Sequence, residues 1–271
     1  MRGQQGEGPA DDRDKAFLEK PQAVISLAGG VVAILVAVLG LVFGFFPGCQ
    51  PPPPEPKLKL SDVDVAREKD IAADWTYAGE PHGVVERWES SMLSIALRNP
   101  SDNKVLVTQA EFVISAVTKL GCPYGGGGSS IQARYDIKVP DGRSTPFTLR
   151  RPLKFEVPPH DNQRIGFTMG PESFVDGGLP NVYRFTLTLT ADDKSRLTTD
   201  PVILMTPQGS DSVLEAAEDA MRKGPGATTP ECVKKLARTA REIVEGGDLV
   251  SPELMKYSTE LNRLASLPAS G

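Results

Sequence analysis

The sequence predicts a mainly β protein: an antiparallel β-sandwich that follows a membrane helix and is itself followed by a small α-helical segment. Three observations predict it. Residues 23–46 carry no charged side chain. From about Lys57 to Pro207 apolar residues alternate with polar ones at period two. Beyond Pro207 the apolar spacing changes to the three-and-four rhythm of helices.

The totals exclude some function classes first. The chain has 271 residues and a net charge of −5. Neutralising phosphates needs clustered Lys and Arg, so no nucleic-acid partner is expected. Two histidines, His82 and His160, and three cysteines, Cys49, Cys122 and Cys232, leave little for metal or acid–base chemistry. Gly and Pro, 26 and 24 of them, fall between the apolar runs as in a loop-rich β fold.

Residues 1–22 are polar and read as a disordered cytoplasmic tail. Ala23 to Phe46 follows, AVISLAGGVVAILVAVLGLVFGFF. A helix of that length rises about 36 Å at 1.5 Å per residue. The hydrocarbon core is about 30 Å thick, so the run is long enough to span it with some tilt. A cleaved signal has a shorter apolar core and a small-residue exit, whereas Phe46-Pro47-Gly48 ends this one. A lipoprotein reading of Cys49 meets the same poor flank, so Cys49 reads as a thiol at the membrane surface, free or paired between chains. Arg13, Lys15 and Lys20 precede the run and Lys57 and Lys59 follow it, a small bias towards a cytoplasmic N-terminus at the plasma membrane. Ser26, Gly30, Ala33, Ala37, Gly40 and Gly44 fall on one face of the helix. Small side chains let membrane helices approach closely, so this stripe suggests a homodimer or a membrane-protein partner; the alternative is the ordinary abundance of Gly and Ala in such helices.

Residues 47–56, PGCQPPPPEP, read as a stalk. Consecutive prolines lack the N–H for helix or sheet and extend as polyproline II, about 3.1 Å per residue. A ligand for SH3-type domains is the alternative, but those receptors are cytosolic.

The sandwich is assigned to residues 57–207. Leu93, Ile95 and Leu97 alternate with Ser94 and Ala96; Phe185, Leu187 and Leu189 alternate with threonines. Val105 with Val107, Phe112 with Ile114, Ile137 with Val139, Phe155 with Val157, Ile165 with Phe167, and Val202 with Leu204 repeat the pattern. Turn signals separate seven or eight such strands. The glycine run at 125–128 lacks the helix or lysine of a phosphate cradle and reads as a surface loop.

LSIALRNPSDNKVLVTQAEFVI, 93–114, and FEVPPHDNQRIGFTM, 155–169, resemble the immunoglobulin-like accessory domains of bacterial surface proteins. There a strand ends in an Asn-containing turn, a second strand follows, and a proline, polar turn and strand recur downstream. The resemblance covers roughly 80 residues. It implies an Ig-like β-sandwich used for binding or spacing, and it transfers no functional residues.

Residues 208–271 read as three helices. Ser212 with Glu215, and Thr228 with Glu231, are capping-box patterns; Ser251 and Pro252 start the third. Their apolar stripes either pack on one another and on the sandwich or form a partner-binding bundle. Cys122 and Cys232 are a candidate disulfide outside the cytosol.

No catalytic, cofactor or metal set is recognisable. His82 and His160 sit in turns, and no nucleophile phrase accompanies them. Acidic pairs such as Asp192 and Asp193 read as solvated turns rather than calcium loops. Trp75, Tyr77 and Trp88 are candidates for a ligand groove or for the core. The expectation is therefore a single-pass, extracytoplasmic protein-binding or scaffolding module of the cell envelope. The alternatives are an envelope carbohydrate hydrolase with dispersed carboxylates and a ligand sensor signalling through helix pairing.

Overall fold

The alternation read from the sequence becomes two facing sheets in the computed structural model, which describes residues 57–77, 80–123, 129–172, 178–246 and 249–268. The cytoplasmic tail, the membrane helix with its stripe from Ser26 to Gly44, Cys49 and the proline stalk lie outside the described residues, as does the glycine run. Among the described residues no helix is long and apolar enough to cross a membrane.

The chain enters as β1 (Lys59–Tyr77) and turns back as β2 (Glu80–Arg98), two 19-residue strands paired along their whole length. Then come β3 (Val105–Lys119), β4 (Ser129–Ala133), β5 (Ile137–Val139), β6 (Phe147–Val157), β7 (Asn162–Pro171), β8 (Asn181–Ala191), β9 (Arg196–Thr198) and β10 (Val202–Thr206). One sheet has the order β4-β1-β2-β7-β5. The other runs β11-β10-β8-β3-β6, with β9 paired to β8; β11 is Leu249–Val250. Most pairs are antiparallel. Two short ones are parallel, β5 with β7 and β10 with β11, and each joins strands separated by a long crossover, as parallel pairing requires.

Leu93, Ile95 and Leu97 of β2 and Phe112, Ile114, Leu187 and Leu189 of the opposite sheet lose essentially all exposure in one core. Period two places them together, since alternate residues of a strand share a face. Phe112 is central, with its ring edge-on to Phe167 at 5.3 Å and tilted against Phe185 at 5.7 Å.

Among the described residues three helices follow the strands: α1 (Ser210–Lys223), α2 (Pro230–Val244) and α3 (Pro252–Ala265). Two starts differ from the sequence reading, the first by three residues and the second by one. Gly209, in the left-handed region at φ 75°, turns the chain straight from β10 into α1, so Ser212 lies inside the helix and does not cap it. Thr229 caps α2 by accepting from the Cys232 N–H, with Pro230 next. Thr228 Oγ1 donates instead to the Pro123 carbonyl. The apolar stripes are used on the sheet: Leu236, Ala240, Leu254, Tyr257 and Leu261 form one buried cluster with Leu120, Val182, Ile203 and Met205.

Candidate functional site

Where the helices meet the long hairpin, a cleft opens. Its volume of about 760 Å³ lies within the roughly 300–1,000 Å³ typical of ligand sites. The hairpin contributes Arg67, Trp88 and Glu89, and the helices contribute Asp211, Glu253 and Lys256.

The local sequence explains each placement. Arg67 lies opposite Ser91 in the β1–β2 ladder and diagonal to Glu89, with which it pairs through Arg67 Nη2 and Glu89 Oε2. Glu253 follows Pro252 in the first turn of α3, where a carboxylate complements the helix dipole. Its side chain is 8% exposed, with Oε1 3.9 Å from Arg67 Nε. The Ser91 hydroxyl lies 2.6 Å from Glu253 Oε2 and 2.8 Å from the Met205 carbonyl oxygen, and its one proton serves those two acceptors. One guanidinium thus bridges Glu89 and Glu253 and links hairpin to helix.

Arg87, also at the cleft, has φ 83°, a conformation that bulky residues rarely adopt. It sits where the β1–β2 register shifts between Ile71 and Ala73, next to Trp88. Trp88 itself packs against a small cluster of Ile71, Ala73, Ala133 and Tyr135 beneath the hairpin. Burial pushes the Tyr135 hydroxyl well above its ordinary range, so it stays neutral.

The hairpin ends in a second surface. Trp75 is 38% exposed and Tyr77 53%. The His82 ring lies between them, with centroids 5.1 Å from Trp75 and 5.7 Å from Tyr77. Behind them Asp74 is held below the usual carboxylate range by hydrogen bonds from Arg134, at 2.7 and 3.2 Å.

The structure brings Cys122 and Cys232 together as a disulfide, Cα atoms 6.1 Å apart, tying the segment after β3 to the first turn of α2. It separates the three aromatic candidates: Trp88 lines the cleft, while Trp75 and Tyr77 crown the hairpin. His160 lies in a turn at φ 54°, with Nε2 2.9 Å from Asp102 Oδ1. Asp192 and Asp193 accept backbone N–H groups, from Leu106 and from Lys57 and Leu58. Among the described residues no group of three or more His, Cys, Asp or Glu side chains is placed to hold a metal ion. Sequence reading missed the cleft network because Arg67, Glu89 and Glu253 come from three remote segments; the Pro252-Glu253 helix start was the only local signal. No family model matches the chain, and no curated protein is significantly similar to it.

Proposed function

We propose that this chain is a single-pass, membrane-anchored, extracytoplasmic binding or scaffolding module of the cell envelope, its two-sheet body being Ig-like and its cleft a docking site for a protein partner. The anchor rests on the uncharged run 23–46 and the prolines after it. The disulfide between Cys122 and Cys232 supports an oxidising compartment.

The observation that carries the binding role is the cleft, walled by two elements far apart in sequence and joined through Arg67. Charged groups of both signs line it, Arg67, Arg87 and Lys256 with Glu89, Asp211, Glu253 and Glu260. Glu89 and Glu253 share Arg67, and Glu260 pairs with Arg263. Such a surface recognises a partner of mixed charge and is not arranged to ionise a substrate. A photo-crosslinking residue in place of Arg87 should give one discrete adduct in intact cells, and Glu89→Arg should abolish it. An adduct that is absent, or indifferent to the charge reversal, rejects the cleft as a docking site. A chain that washes from membranes in carbonate rejects the anchor.

The hydrolase reading keeps one supporting observation, the carboxylates of Asp211 and Glu253 in the same cleft. It requires release of reducing ends from purified wall glycan, lost in Asp211→Asn and in Glu253→Gln. No release on any wall polymer dismisses it.

A further inference from the structure

The odd-numbered face of β1 shows an apolar stripe that outruns the core. Ile71 and Ala73 are buried, but Trp75 and Tyr77, next on the same face, emerge into solvent. Five large apolar side chains are exposed among the described residues, and three of them, Trp75, Tyr77 and Val84, sit at this one hairpin tip. Burial of the hairpin does not explain them. Residues 80–84 are exposed throughout. His82 is the extra residue where the β1–β2 register shifts next to Trp75, and that bulge puts its ring between the two aromatic side chains. Glu80, directly opposite Tyr77 in register, adds a carboxylate to the same face.

We infer that this tip is a glycan-binding platform, which stacks the apolar faces of pyranose rings on Trp75 and Tyr77 and holds their hydroxyls with His82 and Glu80. Three arguments select this occupant. Exposed indole and phenol rings offer a large rigid apolar face with a polar edge, which matches a sugar ring with C–H groups on its face and hydroxyls at its rim. A lipid surface fits poorly, because Glu80 at the apex would have to leave water with the rings. A protein partner fits poorly too. The tip is a ribbon of three strands, β4, β1 and β2, about 10 Å across at a strand spacing near 4.8 Å. Trp75 and Tyr77 lie about 7 Å apart along it at ~3.4 Å per residue, a footprint on the order of 100 Å², far less than the roughly 800 Å² each side of a standard interface needs. A polymer read ring by ring needs no such area. The platform is separate from the cleft and does not depend on the docking site proposed there.

The chain has two tryptophans, so Trp88→Phe leaves Trp75 as the sole indole reporter. In the full chain in nanodiscs of that background, chitotetraose and soluble fragments of cell-wall glycan should shift and quench Trp75 emission. Trp75→Ser and Tyr77→Ser, made in the native chain and followed by calorimetry, should each weaken binding about tenfold, the equivalent of roughly 1.4 kcal/mol. Val84→Ser, on the opposite face of the ribbon, should leave it unchanged. An unaltered thermal midpoint in all three exposed-site variants keeps the comparison free of folding effects. Emission unmoved by every glycan, equal losses in Val84→Ser, or quenching of Trp75 by nanodiscs of brominated lipid would each overturn the assignment, the last in favour of a lipid contact.

Discussion

Asn99 shows how one residue fixes a turn. It is fully buried after β2, with Nδ2 donating to the carbonyls of Asn103 at 2.7 Å and Val157 at 3.0 Å, while Oδ1 accepts from the Ser101 N–H and hydroxyl. Asn is suited to this, because one side chain supplies both donors and an acceptor. Asn99→Leu takes this donor from the Val157 carbonyl and the acceptor from the Ser101 N–H and should cost about 2–4 kcal/mol, read from chemical denaturation, since each buried unsatisfied group costs about 1–3 kcal/mol. Asp193 does similar work at the entry to β1. Burial raises its pKa, but hydrogen bonds from the Ser195 hydroxyl and N–H and from the N–H groups of Lys57 and Leu58 outweigh that and hold it below the ordinary carboxylate value. A carboxylate whose folded pKa is depressed stabilises the fold above its unfolded value, near pH 4, and loses that contribution as pH falls through the folded value. The denaturation midpoint of Asp193→Asn should therefore fall less steeply as pH drops below about 4 than that of the parent chain; an identical acid limb removes this role. Both residues sit in turns the sequence marks plainly, but the partners they hold lie as far as 136 residues away and leave no local trace.

At the scale of elements, legibility follows regularity. The strands around Leu93–Leu97 and Phe185–Leu189 obey period two without interruption, and the sequence displays them. β1 does not: extra residues on its own side near Leu60 and near Glu68 shift its pairing with β2, so apolar residues change face within one strand and the alternation is broken. β11 is two residues long and exists only by pairing with β10. The helices show their stripes, and their sheet contacts are testable. Tyr257 of α3 donates its hydroxyl to the Leu120 carbonyl at 2.8 Å in a buried setting, so Tyr257→Phe should lose about 1 kcal/mol. The disulfide closes a span of 110 residues between Cys122 and Cys232. Removing it with Cys122→Ala and Cys232→Ala should lower stability by about 2–5 kcal/mol. Amide exchange should rise first in α2, the helix it anchors; uniform acceleration over both sheets would contradict that.

For the whole molecule the test is the shared core. Phe112 touches both sheets, through Phe167 and Phe185. Phe112→Ala should cost about 3–5 kcal/mol and unfold both sheets in one transition; two separate transitions would mean that the sheets are independent units. The sequence by itself determined the β class, the strand-bearing and helix-bearing stretches and the uncharged run that motivates the anchor, because each is written in local periodicity or composition. Only the tertiary structure decided that the helices cover a sheet, that Arg67 meets Glu89 and Glu253 in a cleft, and that Trp75 and Tyr77 stand in solvent while Trp88 lines that cleft. Those outcomes depend on which distant faces compete for burial, and a one-residue shift in a bulged strand is enough to send a side chain to the other side.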